Sequence, residues 1–286
     1  MNKTTLPFDL VVLDLDGTIL DLYHARTITP RVRQAIAAVQ AAGIPVTIGT
    51  GRTLDYICDQ LGYLQLTHPV ITMQGAVIGD PVTNKILAET DISLELAQQV
   101  ADWVDASTYV TSFYFHDERG RVRIYQNRPA ETPSDQAFHD HVFGGSRLMQ
   151  PSFRELLAEP TAKPPLKFLL DNDLNRTANV LPELQARFGA DLYITRTHPR
   201  LVEGTAQGID KGQGLLHLCD LLGLTPERVL VIGDNDNDIP MLRLAGYSVA
   251  MGNATTGAKA VAKWIAPTVE EDGAAVALER LILGKK

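Results

Sequence analysis

The chain has 286 residues, 45% of them apolar and 21% charged, with a formal net charge of −8; that is one large domain or about two ordinary ones, of globular composition. The acidic balance, with no basic stripe to neutralise phosphates, argues against a nucleic-acid partner. No stretch approaches the roughly 18 continuous apolar residues of a membrane span, residues 1–9 carry Asp9 and do not read as a signal peptide, and Cys58 and Cys219 form no C-x-x-C pair, so no zinc or redox motif is expected and the sparse cysteine fits a reducing cytoplasm.

Leu10-Val11-Val12-Leu13 is a continuous apolar run that reads as a buried parallel strand. It ends in Asp14-Leu15-Asp16-Gly17-Thr18. Open α/β sheets bind ligands just beyond the carboxyl ends of their strands. Two acids there point to a metal site, an acid/base pair or a carboxylate nucleophile. Thr29-Pro30 then opens a helix, a capping hydroxyl followed by proline at the first helical position, and Gly43 closes it after residues 31–42. A second strand over 44–48 runs into Gly49-Thr50-Gly51-Arg52; residues 54–61 are helical and 69–73 form a third strand. This βαβαβ order predicts a parallel sheet with right-handed crossovers.

Beyond residue 80 the pattern changes. Residues 81–85 read as a hairpin turn and 94–104 as a helix. Segments 109–115 and 121–125, aromatic and β-branched, flank Asp117-Glu118-Arg119-Gly120 and read as an antiparallel hairpin. Residues 127–145, rich in Pro, Asp and His, read as a loop, followed by a strand over 166–170, a helix over 177–188 and a strand over 192–195. The organisation predicted is an α/β core of residues 1–82 and 205–286, interrupted by an α+β domain over 83–204. The α/β pattern resumes with a helix over 211–222 stopped by Gly223, and a strand over 228–232 that ends in Gly233-Asp234-Asn235-Asp236-Asn237-Asp238. A helix over 239–245, a strand over 247–251, a helix over 258–262, a short strand at Trp264–Ile265 and a helix over 274–283 complete it.

Four polar clusters thus fall at strand ends or helix starts of one sheet: Asp14 with Asp16, Thr50-Gly51-Arg52, Lys211, and Asp234 with Asn237 and Asp238. Singly, each has an ordinary explanation, such as a β–α turn or a solvated lysine. The run 234–238 spaces its acids like a calcium loop, but Ile239 stands where that loop needs Gly and Ala245 where it needs Glu, so an EF-hand is excluded.

In this order, and separated by an inserted domain, the clusters resemble the haloacid dehalogenase superfamily of phosphohydrolases, above all its Cof-type branch with a large α+β cap. The resemblance spans essentially the whole chain. It rests on D-x-D-G-T after an apolar strand, T-G-R, Gly208-Ile209-Asp210-Lys211-Gly212 and G-D-x-x-N-D, with further matches at Ala250-Met251-Gly252-Asn253-Ala254 and Glu271-Asp272-Gly273. It departs at Gln74 in Met73-Gln74-Gly75-Ala76, where the branch usually carries Asn; the side chain is one methylene longer, so a contact there is lost or redirected.

The resemblance implies a Rossmann-like parallel-sheet core with an inserted cap, and a phosphatase that uses Mg²⁺ to hydrolyse small phosphomonoesters, sugar phosphates or similar metabolites, through an aspartyl phosphate. Such hydrolysis is extremely slow unaided, so the site must supply about 20 kcal/mol or more. By resemblance Asp14 is the nucleophile, and the metal residues are Asp14, Asp16, Asp234 and Asp238, with Asp16 acting through its backbone carbonyl. Asn237 and Asp238 would orient the metal's waters. The Asp16 side chain is then free for acid/base work. Thr50, Gly51 and Lys211, with Gly17 and Asn237, would hold the phosphoryl group. Arg52 either reaches the substrate or pairs with a nearby acid. Asn253 either contacts a phosphoryl oxygen or closes a turn. In the cap, which is expected to set specificity and exclude water when it closes, His116, Arg119, Arg121, Arg123, His139 and His141 are candidate substrate contacts, while Phe113 and Phe115 read as core. The partner implied is a small phosphorylated metabolite, bound by a monomer or weak homo-oligomer without nucleic acid or membrane. Two rival readings are a phosphomutase acting on a sugar phosphate and a non-catalytic phosphometabolite sensor.

Overall fold

Leu10–Leu13 is fully buried and runs parallel to Val229–Gly233 on one side and Val46–Ile48 on the other. Tyr247–Ala250 and Trp264–Ile265 extend the sheet beyond Val229–Gly233, again in parallel, giving five strands. Both faces of the central strands are covered, which is why their sequences are unbroken apolar runs. The structure is a computed structural model that describes residues 7–21, 27–130, 132–143, 147–171 and 174–285. The chain folds as two units, Met1–Leu87 with Asp210–Lys286, and Ala88–Ile209.

Local chemistry sets the helices of the first unit. Pro30–Ala41 begins where the Thr29 hydroxyl accepts from the Val32 N–H (3.3 Å), and it buries Val32, Ala35, Ile36 and Val39, one face of a 3.6-residue period. Lys211–Leu222 begins at the side chain of Asp210 and ends at left-handed Gly223. The third expected strand departs from the prediction. Val70–Thr72 touches the parallel sheet through a single bridge, Gly49 to Ile71, and pairs antiparallel with Val77–Asp80 instead. Lys85–Glu89 completes that three-stranded sheet. The reason is the turn after Thr72, where Met73, Gln74 and Gly75 take φ of 53°, 62° and 99° and reverse the chain at once. Gly75 is obligatory there, because a Cβ would lie 2.1 Å from the carbonyl oxygen of Asp210.

The second unit is a six-stranded sheet in the order Leu192–His198, Leu201–Ala206, Lys167–Asp171, Val110–His116, Val122–Gln126, Arg147–Met149. Only the pairing of the last two is parallel. Alternate residues Phe113, Phe115, Phe168, Leu170 and Val202 pack with apolar side chains of helices Leu94–Asp105, Phe153–Ala158 and Leu174–Phe188. The segment read as a loop over 127–145 contains the helix Pro133–Phe143. Thr132 opens it, its hydroxyl accepting from the Asp135 N–H (3.1 Å) and donating to the Asp135 carboxylate (2.7 Å). Strands Arg147–Met149 and Leu201–Ala206 and helix Phe153–Ala158 are further elements of this unit beyond those the sequence pattern predicts.

Candidate active site

Asp14 is the first residue past its strand, and its N–H still donates across the sheet to Ile232 (2.9 Å). The chain then curls on itself: the Leu15 carbonyl accepts from Thr18, Ile19 and Leu20, with Leu15 and Ile19 buried as anchors. Gly17 adopts φ 87° and lies against Asp234, so that a Cβ there would be 2.4 Å from an Asp234 carboxylate oxygen. The Thr18 hydroxyl donates to the other Asp234 oxygen (2.9 Å). Asn253 closes the turn: its amide donates to the Gly17 carbonyl (2.8 Å) and its oxygen accepts from the Val269 N–H (2.9 Å).

Lys211 is the first residue of its helix and is 2% exposed. Its ammonium donates to Asp14 Oδ1 and to Asp238 Oδ1, each at 2.6 Å. The other oxygen of Asp238 accepts the backbone N–H groups of Asp234 (2.8 Å) and Asn235 (3.0 Å). Asp238 therefore shapes the loop that presents Asp234. An Asn235-x-x-Asp238 capping box underlies this role, and that pattern was readable in the sequence. Oxygens of Asp14, Asp234 and Asp238 lie within 4.8 Å of one another. Three carboxylates against one ammonium give −3 + 1 = −2 if all are ionised. Burial above all, then the charge of Asp238, raises Asp14 to about 7 despite Lys211. Burial and the charges of Asp14 and Asp238 hold Asp234 well above the usual carboxylate range. Burial works against the Lys211 ammonium, but Asp14 and Asp238 outweigh it and keep the side chain charged.

Thr50 is buried, and its hydroxyl accepts from the backbone N–H of Arg52 (3.2 Å). Gly51 is half-buried between them. The Arg52 guanidinium takes the second of its two expected roles and grips Asp16, Nε to Oδ2 and Nη2 to Oδ1, both at 2.7 Å. The Asp16 side chain is thus held by Arg52. Gln74 also has a defined partner, since its side-chain oxygen accepts from the Asn237 amide (2.9 Å), and both residues are buried. The Asn237 Oδ1 is buried without a hydrogen-bond partner.

In the second unit, Phe113 lies in the core with its ring centroid 4.6 Å from that of Phe153, and Phe115 packs in the same cluster. The basic residues of the hairpin gather on one acid: Asp117 accepts the backbone N–H groups of Arg119 (2.9 Å) and Arg121 (3.0 Å) and Nε of Arg123 (3.2 Å). His116 pairs with Glu89 at 2.7 Å. His139 and His141 fall within a helix, but their side chains lie outside the described residues.

The donor set suits a small hard cation. It is all carboxylate oxygen, buried at Asp14 and Asp238 and half-buried at Asp234, and when ionised more negative than Lys211 can balance, the kind of centre that takes Mg²⁺ rather than a thiophilic metal. Asp238 already spends both oxygens on Lys211 and the backbone, so Asp14 and Asp234 are the better placed to hold it. No helix among the described residues is long and apolar enough to cross a membrane.

Comparison with known proteins agrees with this architecture. The chain is 30% identical to the 5-amino-6-(5-phospho-D-ribitylamino)uracil phosphatase YcsE of Bacillus subtilis over 99% of both chains. It is 27% identical to a phosphoglycolate phosphatase of Methanopyrus kandleri, covering 96% of this chain and 97% of that one. A haloacid dehalogenase-like hydrolase from B. subtilis superposes with a TM-score of 0.82 at 24% identity, over 96% of this chain and all of the other, and shares the fold. The family profile described as haloacid dehalogenase-like hydrolase matches residues 11–278. The chain belongs to the haloacid dehalogenase-like hydrolases and is an enzyme of their phosphoric monoester hydrolase class.

Proposed function

We propose that the enzyme is a cytoplasmic, Mg²⁺-dependent phosphatase that hydrolyses small phosphomonoesters, sugar phosphates or similar metabolites, through a phosphorylated Asp14. The carrying observation is the buried Lys211, bonded at 2.6 Å to Asp14 and to Asp238, with Asp234 in the same cluster. Such a centre orients one carboxylate while remaining short of positive charge.

A Asp14 carboxylate oxygen attacks phosphorus, and the bond from phosphorus to the leaving oxygen breaks. The Asp16 carboxyl gives its proton to that oxygen, releasing the alcohol. The Asp16 carboxylate then takes a proton from water, whose oxygen attacks phosphorus and breaks the bond to Asp14. Inorganic phosphate leaves with both aspartates restored. Lys211 offsets negative charge on Asp14 and the phosphoryl group throughout, and the Thr50 hydroxyl holds a phosphoryl oxygen. Mg²⁺, held by Asp14, Asp234 and the Asp16 carbonyl, would supply charge neutralisation between nucleophile and phosphate. Asn237 and Asp238 set the geometry around it.

The test is phosphate release from a panel of monoesters, with and without Mg²⁺, with Asp14→Asn as control. The panel includes hexose phosphates, phosphoglycolate and 5-amino-6-(5-phospho-D-ribitylamino)uracil, since relatives carry the last two substrates in their names. Metal-dependent release that vanishes in the variant is the expected result. Isomerised sugar phosphates would instead indicate a mutase, and binding without release a sensor.

A further inference from the structure

Arg52 and Asp16 are joined at two points, but the partners differ in access. The Arg52 side chain is 8% exposed and that of Asp16 27%. Arg52 is also fixed from several directions. Its guanidinium carbon lies 4.3 Å from the ring centroid of Tyr56. Its N–H is spent on the Thr50 hydroxyl, and its carbonyl accepts from Met73 N–H at 3.0 Å. A residue built to meet an incoming phosphate would show the reverse, with an open guanidinium edge and a sheltered acid behind it.

We propose that Arg52 is the positioning residue of Asp16 and not a ligand of the substrate phosphate. A carboxylate offers about four lone-pair sites on its two oxygens. The fork of Arg52 occupies one on each oxygen, which fixes the plane of the carboxylate and leaves the outward lone pairs for proton transfer. Tyr56 keeps the fork in place by stacking on its face. Lysine cannot do this, because a point charge on a flexible stem does not define a plane. The inference rests on the phosphatase reading, in which Asp16 moves the proton.

The test compares wild type, Arg52→Gln and Arg52→Lys on an alkyl phosphate and on 4-nitrophenyl phosphate, whose leaving phenolate departs without a proton. The parameter is kcat/KM, which reports the steps up to transfer onto Asp14. General acid catalysis contributes about 10²–10⁴-fold, so Arg52→Gln should lose about 10²-fold on the alkyl ester and only a small factor on the aryl ester. Arg52→Lys should fail on the alkyl ester in the same way, and added guanidinium should restore part of the Arg52→Gln rate. Inhibition by inorganic phosphate should be unchanged. In an Asp16→Asn background, removing Arg52 should cost nothing further. Equal losses on both esters with weaker phosphate inhibition would overturn the proposal by placing Arg52 on the phosphate. Unchanged rates in both variants would overturn it too. A wild type with no turnover on any ester would overturn the phosphatase reading itself and this inference with it.

Discussion

Each unit of the molecule buries a lysine against a carboxylate at 2.6 Å, yet the two pairs are built differently. In the second unit the Lys167 ammonium donates to Glu203. The second Glu203 oxygen accepts from the Thr197 hydroxyl (2.7 Å), and the ammonium lies 4.7 Å from the Tyr114 ring centroid. The two groups are of opposite charge. In the first unit Lys211 faces Asp14 and Asp238 with Asp234 beside them, so the cluster would be two charges short with every acid ionised. A buried pair of opposite charges can often be replaced whole by apolar residues at little cost. In an acid-rich cluster, burial first and then the neighbouring carboxylates push acids above their ordinary range, and perturbed groups of this kind gather at functional sites.

Asp14→Asn is the strongest way to break the contrast. It should abolish phosphate release, by about 10⁴-fold or more, because the nucleophile is gone. It also leaves Lys211 with a more nearly balanced partner set. The metal-free variant should therefore melt higher than wild type at neutral pH, a trade of function against stability. A lower melting temperature would show that the cluster is not strained by its charge.

Next in size are the lysines. Lys211→Met leaves two buried carboxylates without their ammonium, and Lys167→Met removes the ammonium from Glu203; removing one partner of a buried pair costs about 3–5 kcal/mol. Loss of Lys211 thus affects both rate and folding, and denaturant unfolding must accompany any rate measurement. The contrast sharpens in the double variant Lys167→Met/Glu203→Leu, which should return to within about 1–2 kcal/mol of wild type, as apolar replacements of whole pairs do. A double variant as unstable as the single would mean the second unit needs its charges.

A smaller effect is set by pH. Asp14 titrates near 7 in the fold against an ordinary value of 3.8, so between these values the folded protein holds the proton more tightly than the unfolded chain. Stability contributed by this group is therefore present at low pH and falls as pH rises through that window, and Asp234 adds in the same direction. With a chelator, the melting temperature should decline across the window, less steeply in Asp14→Asn, and Mg²⁺ should remove the decline. Parallel slopes in the two proteins would contradict this origin. The smallest change is Asn253→Ala, which unties the Gly17 carbonyl and should cost about 1 kcal/mol, read from chemical denaturation.

Much of this was legible where local chemistry decides. Leu10–Leu13 announces a doubly covered strand, Thr29 and Pro30 a helix start, and Gly223 a helix end, and each acts as read. What escaped depends on partners remote in sequence. Residues 70–72 have the composition of a sheet strand, but the left-handed turn at Met73–Gly75 takes them out of the parallel sheet. Pro133–Phe143 has too weak an apolar stripe to stand out from a polar loop, although Thr132 and Asp135 mark its start. Side-chain pairing was the least visible layer. Nothing local says that Arg52 faces Asp16, 36 residues away, or that Asn237 meets Gln74.

The strand order bears on how the protein is made. Leu10–Leu13 can pair with Val46–Ile48 early, but its other neighbour, Val229–Gly233, follows 216 residues later. At bacterial or eukaryotic synthesis rates of about 5–20 residues per second, that edge waits roughly 10–40 s on the ribosome. Through that interval an apolar strand has one unpaired side, and Asp14 has neither Lys211 nor Asp234 beside it. Messages truncated before the codon for Gly233 would thus yield chains with a sticky edge and no catalytic centre, substrates for chaperones rather than partly active enzymes.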